Sequence, residues 1–191
     1  MKAVLTIAAG VLFLLGFLPY IRAILRRETV PSKASWLIWA GLDTITVLGM
    51  LFAGSLNGQI FGAVAGAWVT TALALKYGSA GWTRLDKLCL GGAVLGIVLW
   101  LTTSNPLFGI VISQTVVLLG AVPTVTSAWK DPSQEDRFSW TVWWVSCVCA
   151  MFAIPQWTFK DAFQPSVFFL IETTMVAILY LKPRLMPAPQ R

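Results

Sequence analysis

Two carboxylates stand inside long apolar runs, Asp43 and Glu172, and both lie near the middle of those runs. An Asp at the centre of a membrane helix costs ~2.5 to 3.5 kcal/mol on insertion scales, and desolvation favours its protonated form. No basic residue lies at matching depth in the sequence, so an ion pair explains neither acid. A proton site, a site for a cationic ligand and a hydrogen-bonded structural acid remain. Around Asp43 the residues Trp36, Trp39, Asp43 and Thr46 follow a three-and-four spacing, which puts two indoles, a carboxylate and a hydroxyl on one helical face. Indole rings offer flat surfaces to sugar rings or cations, and the acid supplies charge or an exchangeable proton. Trp36 and Trp140 also suit an interfacial aromatic belt, whereas Trp39 and Trp143 lie one turn deeper.

The elements that must hold these groups follow from composition. The chain has 191 residues, 57% of them hydrophobic and 12% charged, with a mean hydropathy of +0.76. That balance belongs to a polytopic membrane protein. Apolar runs cover residues 3–25, 35–54, 58–76, 85–103, 107–129, 139–157 and 165–182. Each is close to the ~20 residues a helix needs to cross a bilayer and far longer than a barrel strand, so an all-α integral membrane fold of seven transmembrane helices is expected. Lys2 and Lys160 fall on one side of these spans and the remaining twelve basic residues on the other. The positive-inside rule then predicts a cell-membrane protein with its N-terminus outside and its C-terminus cytoplasmic. The basic pI, about 9.6, reads as a topology signal, with no nucleic-acid partner expected. The Arg22, Arg26 and Arg27 cluster after the first run, with no small-residue cleavage site, predicts that this run is a retained helix.

The chemistry that is missing is equally informative. There is no histidine, and no Ser or Cys has the partners a hydrolase needs. Cys89, Cys147 and Cys149 all fall within predicted spans and read as small buried hydrophobes. We therefore expect neither an enzyme, a metal site nor a cofactor.

An internal repeat organises the rest. SWLIWAGLD at 35–43 returns as SWTVWWVSC at 139–147, an offset of 104 residues without a gap. The same register pairs Pro19 with Pro123, Trp39 with Trp143 and Trp68 with Glu172, and it sets Asp43 against Cys147. Three helices, one linker and three helices make the two halves parallel. The expected divisions are 1–78, a linker at 79–104, 105–182 and a tail at 183–191. Pro19 and Pro123 each remove a backbone hydrogen bond near one end of the first and fifth spans, and so read either as paired hinges or as fixed kinks. Gly58, Gly62 and Gly66 form a small-residue stripe that reads as close helix packing.

On this parallel repeat, N-out topology, and a proline followed by a basic loop and a Ser-Trp helix start in each half, nearly the whole chain resembles the SWEET and PQ-loop transporters. The resemblance implies two parallel three-helix bundles joined by a linker helix. It also implies transport of a small polar solute (amino acid, amine or sugar) by alternating access, with proton coupling through the intramembrane acids. Pro165-Ser166 stands where sugar carriers of that family place Pro-Asn, which marks Ser166. The expected pathway residues are Asp43, Glu172, Trp39, Trp143, Trp68, Thr46, Gln114 and Ser166. On helix 7, Glu172 is expected to face Trp68. The expected partners are the solute, protons and the lipid bilayer, with a homo-oligomer allowed. A non-transporting receptor or structural membrane protein with a ligand pocket is the alternative.

Overall fold

A computed structural model describes residues 1–28, 31, 33–78 and 83–185, which are helical throughout apart from short connections. The side chains of Ser35, Asp86, Cys89, Pro123 and Arg184, and all of residues 186–191 with Arg191, lie outside the described residues. The helices are α1 (Lys2–Leu25), α2 (Lys33–Ala53), α3 (Gly58–Tyr77), α4 (Arg84–Thr103), α5 (Pro106–Lys130), α6 (Arg137–Ala153) and α7 (Phe159–Leu185). Among the described residues there is no strand.

Five helices, α1, α2, α3, α5 and α7, are long and apolar enough to cross a membrane. The other two of the seven expected spans are not among these five. α4 has 20 residues and opens on the charged sequence RLDK, and its apolar stretch among the described residues is Leu90–Thr103. α6 has 17 residues and ends at Ala153, short of the expected 157. Pro155 forces the residue before it out of the helical region, and Ile154 is accordingly extended at ψ 119°. α7 starts at Phe159, six residues before the expected 165, so Pro165 lies inside it. Its start is set by Thr158, whose carbonyl accepts from the amides of Asp161 and Ala162 and whose hydroxyl bonds the Asp161 carboxylate at 2.7 Å.

α3 packs against both α1 and α2, and α7 against both α5 and α6. The two sets meet through α1 on α6 and α2 on α5, with α4 beside α5. The glycine stripe explains the first of these contacts. A Cβ at Gly58 would run into the Thr6 carbonyl, one at Gly62 into the Gly10 carbonyl and one at Gly66 into the Phe17 ring. Only glycine lets α3 lie this close to α1. Where α1 meets α6, Gly16 lies directly under the Trp143 indole. Trp143 Nε1 donates to the Phe13 carbonyl at 2.9 Å, and Ser146 Oγ to the Ala9 carbonyl at 2.6 Å. α1 runs through Pro19 and α5 through position 123 without a break in the helix.

Candidate functional site

The inward faces of α2 and α7 converge on one cavity. From α2 come Trp36, Trp39 and Asp43, and from α7 Phe168, Glu172 and Met175; α1 adds Phe13 and Phe17, α6 adds Trp140 and Trp143, and α5 closes the far wall. Its volume is about 110 Å³, against the roughly 10 to 15 Å³ a single water needs. Five pairs of lining residues are related by the 104-residue offset: Phe13 with Val117, Phe17 with Ala121, Trp36 with Trp140, Trp39 with Trp143 and Ala67 with Ile171. The cavity therefore lies where the two halves face each other. In two of the pairs a phenylalanine of the first half opposes a smaller residue of the second, so space opens towards α5.

The tryptophan pairs repeat in geometry as well as in sequence. Trp36 and Trp39 meet edge to face at 5.3 Å and 87°, and Trp140 and Trp143 at 5.3 Å and 88°. Phe17 braces both sets, lying 5.9 Å from Trp36 and 5.0 Å from Trp143. Three of the four indole donors are taken. Trp36 Nε1 points to the Tyr20 hydroxyl at 3.4 Å, Trp140 Nε1 donates to Glu135 Oε2 at 2.9 Å, and Trp143 serves the Phe13 carbonyl. The rings thus present mainly faces and edges to the cavity.

The acids break the symmetry. Asp43 is 7% exposed and Glu172 6%, and Glu172 Oε2 is buried with no hydrogen-bond partner. Among the described residues lining the cavity there is no Lys or Arg. Asp43's counterpart Cys147 is wholly buried and accepts from Gln59 Nε2 at 3.1 Å instead. Among the described residues there is no cluster of side chains able to hold a metal ion.

The two ends of the cavity differ. Towards the end that carries the basic loops, a hollow of about 190 Å³ adjoins it across the four tryptophans and is bounded by Tyr20, Glu135, Asp136 and Ser139. Asp136 caps α6 by accepting from Ser139 N at 2.6 Å. Burial pushes the Glu135 carboxyl above its ordinary range, against the opposing pull of the Trp140 bond, while neighbouring Asp136 adds to the rise. Towards the opposite end lies a buried amide chain. Asn57 Nδ2 donates to Gln164 Oε1 at 2.8 Å, Gln164 Nε2 to Gln59 Oε1 at 3.2 Å, and Gln59 to Cys147. This chain runs from the start of α3 across to α7, back to α3 and on to α6. Beyond it, Lys2 Nζ binds the carbonyls of Ile154 and Pro155 at 2.8 and 3.0 Å, and Lys160 Nζ that of Ala53 at 3.2 Å.

Asp43, Glu172, Trp39 and Trp143 are therefore brought together. Thr46 and Gln114 are completely buried and joined to each other, Gln114 Nε2 donating to Thr46 Oγ1 at 2.9 Å; they tie α2 to α5 and do not line the cavity. Ser166 is half-buried on α7, also away from it. Trp68 departs from expectation most. It is 46% exposed and donates to Thr44 Oγ1 at 3.0 Å, so it does not oppose Glu172 across the cavity. Ala67 and Ile171 both face inward, and at the next position the bulky indole turns out to α2 while the smaller acid turns in. Sequence reasoning passed over Asn57, Gln59 and Gln164, because a glutamine at the edge of an apolar run reads as interfacial. It also passed over Phe13, Phe17 and Phe168, although the repeat offset applied to Phe13 and Phe17 points at two of the lining pairs.

The chain matches no protein-family model, no curated protein and no solved structure.

Proposed function

We propose that this protein is a SWEET-like membrane transporter that moves a small polar solute by alternating access. All seven helices cross the membrane as two parallel three-helix bundles with α4 as the linker, and proton coupling through Asp43 or Glu172 is part of the reading. The N-terminus is outside and the basic loops are cytoplasmic in the cell membrane. The observation that carries the proposal is a cavity between repeat-related helices that holds two buried acids and, among its described lining residues, no Lys or Arg. Intramembrane acids facing a cavity mark solute or proton paths, and repeat interfaces are where carriers bind. The asymmetry of the two ends supports it further. On the cytoplasmic side the cavity continues into a second hollow, while the outer side is held by side-chain hydrogen bonds between helices of different bundles, contacts that can break without unfolding anything.

The test is uptake by proteoliposomes across sugars, amino acids and amines, with and without an imposed pH gradient, for the parent, Asp43→Asn and Glu172→Gln. Flux should fall at least tenfold in one or both variants. If both fold and transport like the parent at every pH, coupling through these acids is refuted. A protein that binds a ligand and moves nothing is a receptor.

A further inference from the structure

We infer that the solute of this cavity is a methylated ammonium, a compact organic cation carrying no acid group of its own. The inference rests on the reading of the cavity as the solute site. The chain has fourteen Lys and Arg against eight Asp and Glu, yet four of those acids, Glu135, Asp136, Asp43 and Glu172, line the cavity and the hollow beside it, and no Lys or Arg does so among the described lining residues. In a protein of net charge +6, the acids are thus concentrated in the cavity and the hollow beside it, where the described lining carries no cation. A passage of one sign focuses its field and raises the local concentration of the opposite ion.

The cavity chemistry narrows the class. Its walls are aromatic, with Trp36 and Trp39 at right angles on one side and Trp140 and Trp143 at right angles on the other. Such corners present ring faces to a cation, and the attraction strengthens in a desolvated site. Glu172 Oε2 is buried with no partner, a cost that a bound cation would remove. Methylation suits the walls, because a primary ammonium needs three acceptors whereas a methylated one spreads its charge over apolar surface. A neutral sugar fits poorly, since its hydroxyls need donors as well as acceptors and the indole donors of Trp36, Trp140 and Trp143 are already used. An amino acid fits poorly for another reason. Its carboxylate would meet two acids and, among the described lining residues, no Lys or Arg.

The test is equilibrium binding to the full chain in detergent, read by tryptophan fluorescence and by the thermal shift of the unmodified protein. The probes are choline, its neutral isostere with carbon in place of nitrogen, glycine betaine and glucose. Choline should bind saturably and at least tenfold tighter than each of the other three. Glu172→Gln should weaken choline at least tenfold, and Trp39→Leu should weaken it more than Trp39→Phe. If the neutral isostere or betaine binds as well as choline, the inference is overturned. Failure of the transport reading looks different: choline binds with this selectivity but does not cross a proteoliposome membrane. Flux of glucose or an amino acid with no choline binding overturns the inference and leaves transport standing.

Discussion

Replacing Gln164 with Leu should loosen one end of the protein by a calculable amount. Gln164 is completely buried, accepts from Asn57 and donates to Gln59. Leucine fills similar space and makes neither bond. Each hydrogen bond contributes about 1 kcal/mol net, so about 2 kcal/mol is lost from the closed seal, while an open seal, where water reaches the amides, loses little. At 1.4 kcal/mol per tenfold, the open population rises about thirtyfold. Cys147 reports this change directly, because it is wholly buried at the end of the same chain and bonded to Gln59. In a Cys89→Ser, Cys149→Ser background, a membrane-impermeant maleimide added from the Lys2 side should alkylate Cys147 about thirtyfold faster once Gln164→Leu is introduced. Labelling within threefold of the parent rate, in a variant that is still folded and monodisperse, would refute the amide chain as the closure.

Other consequences can be checked more simply. Gly62→Ala puts a methyl into the Gly10 carbonyl, a backbone atom that cannot swing aside; overpacking of this kind costs about 1 to 3 kcal/mol, and the thermal midpoint in detergent should fall by several degrees. Trp68→Phe should leave uptake within twofold of the parent, since Trp68 lies on the outer surface. Glu135 is held above 4.5 by burial, so the folded protein binds this proton more tightly than the unfolded chain does. Its contribution to stability is therefore largest below pH 4.5 and is lost as pH rises through the folded value. Glu135→Gln should remove that part of the slope in a series of melting points against pH.

Much of the site was legible because its strongest signals are anomalies. Asp43 and Glu172 stand out from apolar runs for the same reason they are costly there, and a face of Trp36, Trp39 and Asp43 can be read from spacing alone. The offset of 104 residues correctly related the lining pairs, but it treated equivalent positions as equivalent directions. Trp68 fails that assumption, because a side chain at the edge of a helix face is turned by its own volume and by an acceptor in reach, here the Thr44 hydroxyl oxygen. The start of α7 was misread for a related reason. Pro165 looked like a boundary, whereas the Thr158 to Asp161 cap, which decides where the helix begins, sits in a polar stretch that hydropathy assigns to a loop. The amide chain was invisible for a third reason. Asn57, Gln59 and Gln164 are far apart in sequence, and their partnership exists only once α3 and α7 are side by side.

The two matched tryptophan corners carry a consequence for energetics. A parallel repeat has its approximate two-fold axis running along the helices, so it exchanges one bundle for the other and leaves the two membrane faces distinct. Inverted repeats behave otherwise, since trading conformations between halves turns an inward-facing form into an outward-facing one. Here no such trade exists. The indole corners and the amide chain lie at different depths, are built from different chemistry and are not images of one another. In the proposed carrier, nothing obliges the two access states to have equal free energies, and the side on which it would rest empty is set by how the hydrogen bonds of Gln164 weigh against the edge-to-face packing of four rings.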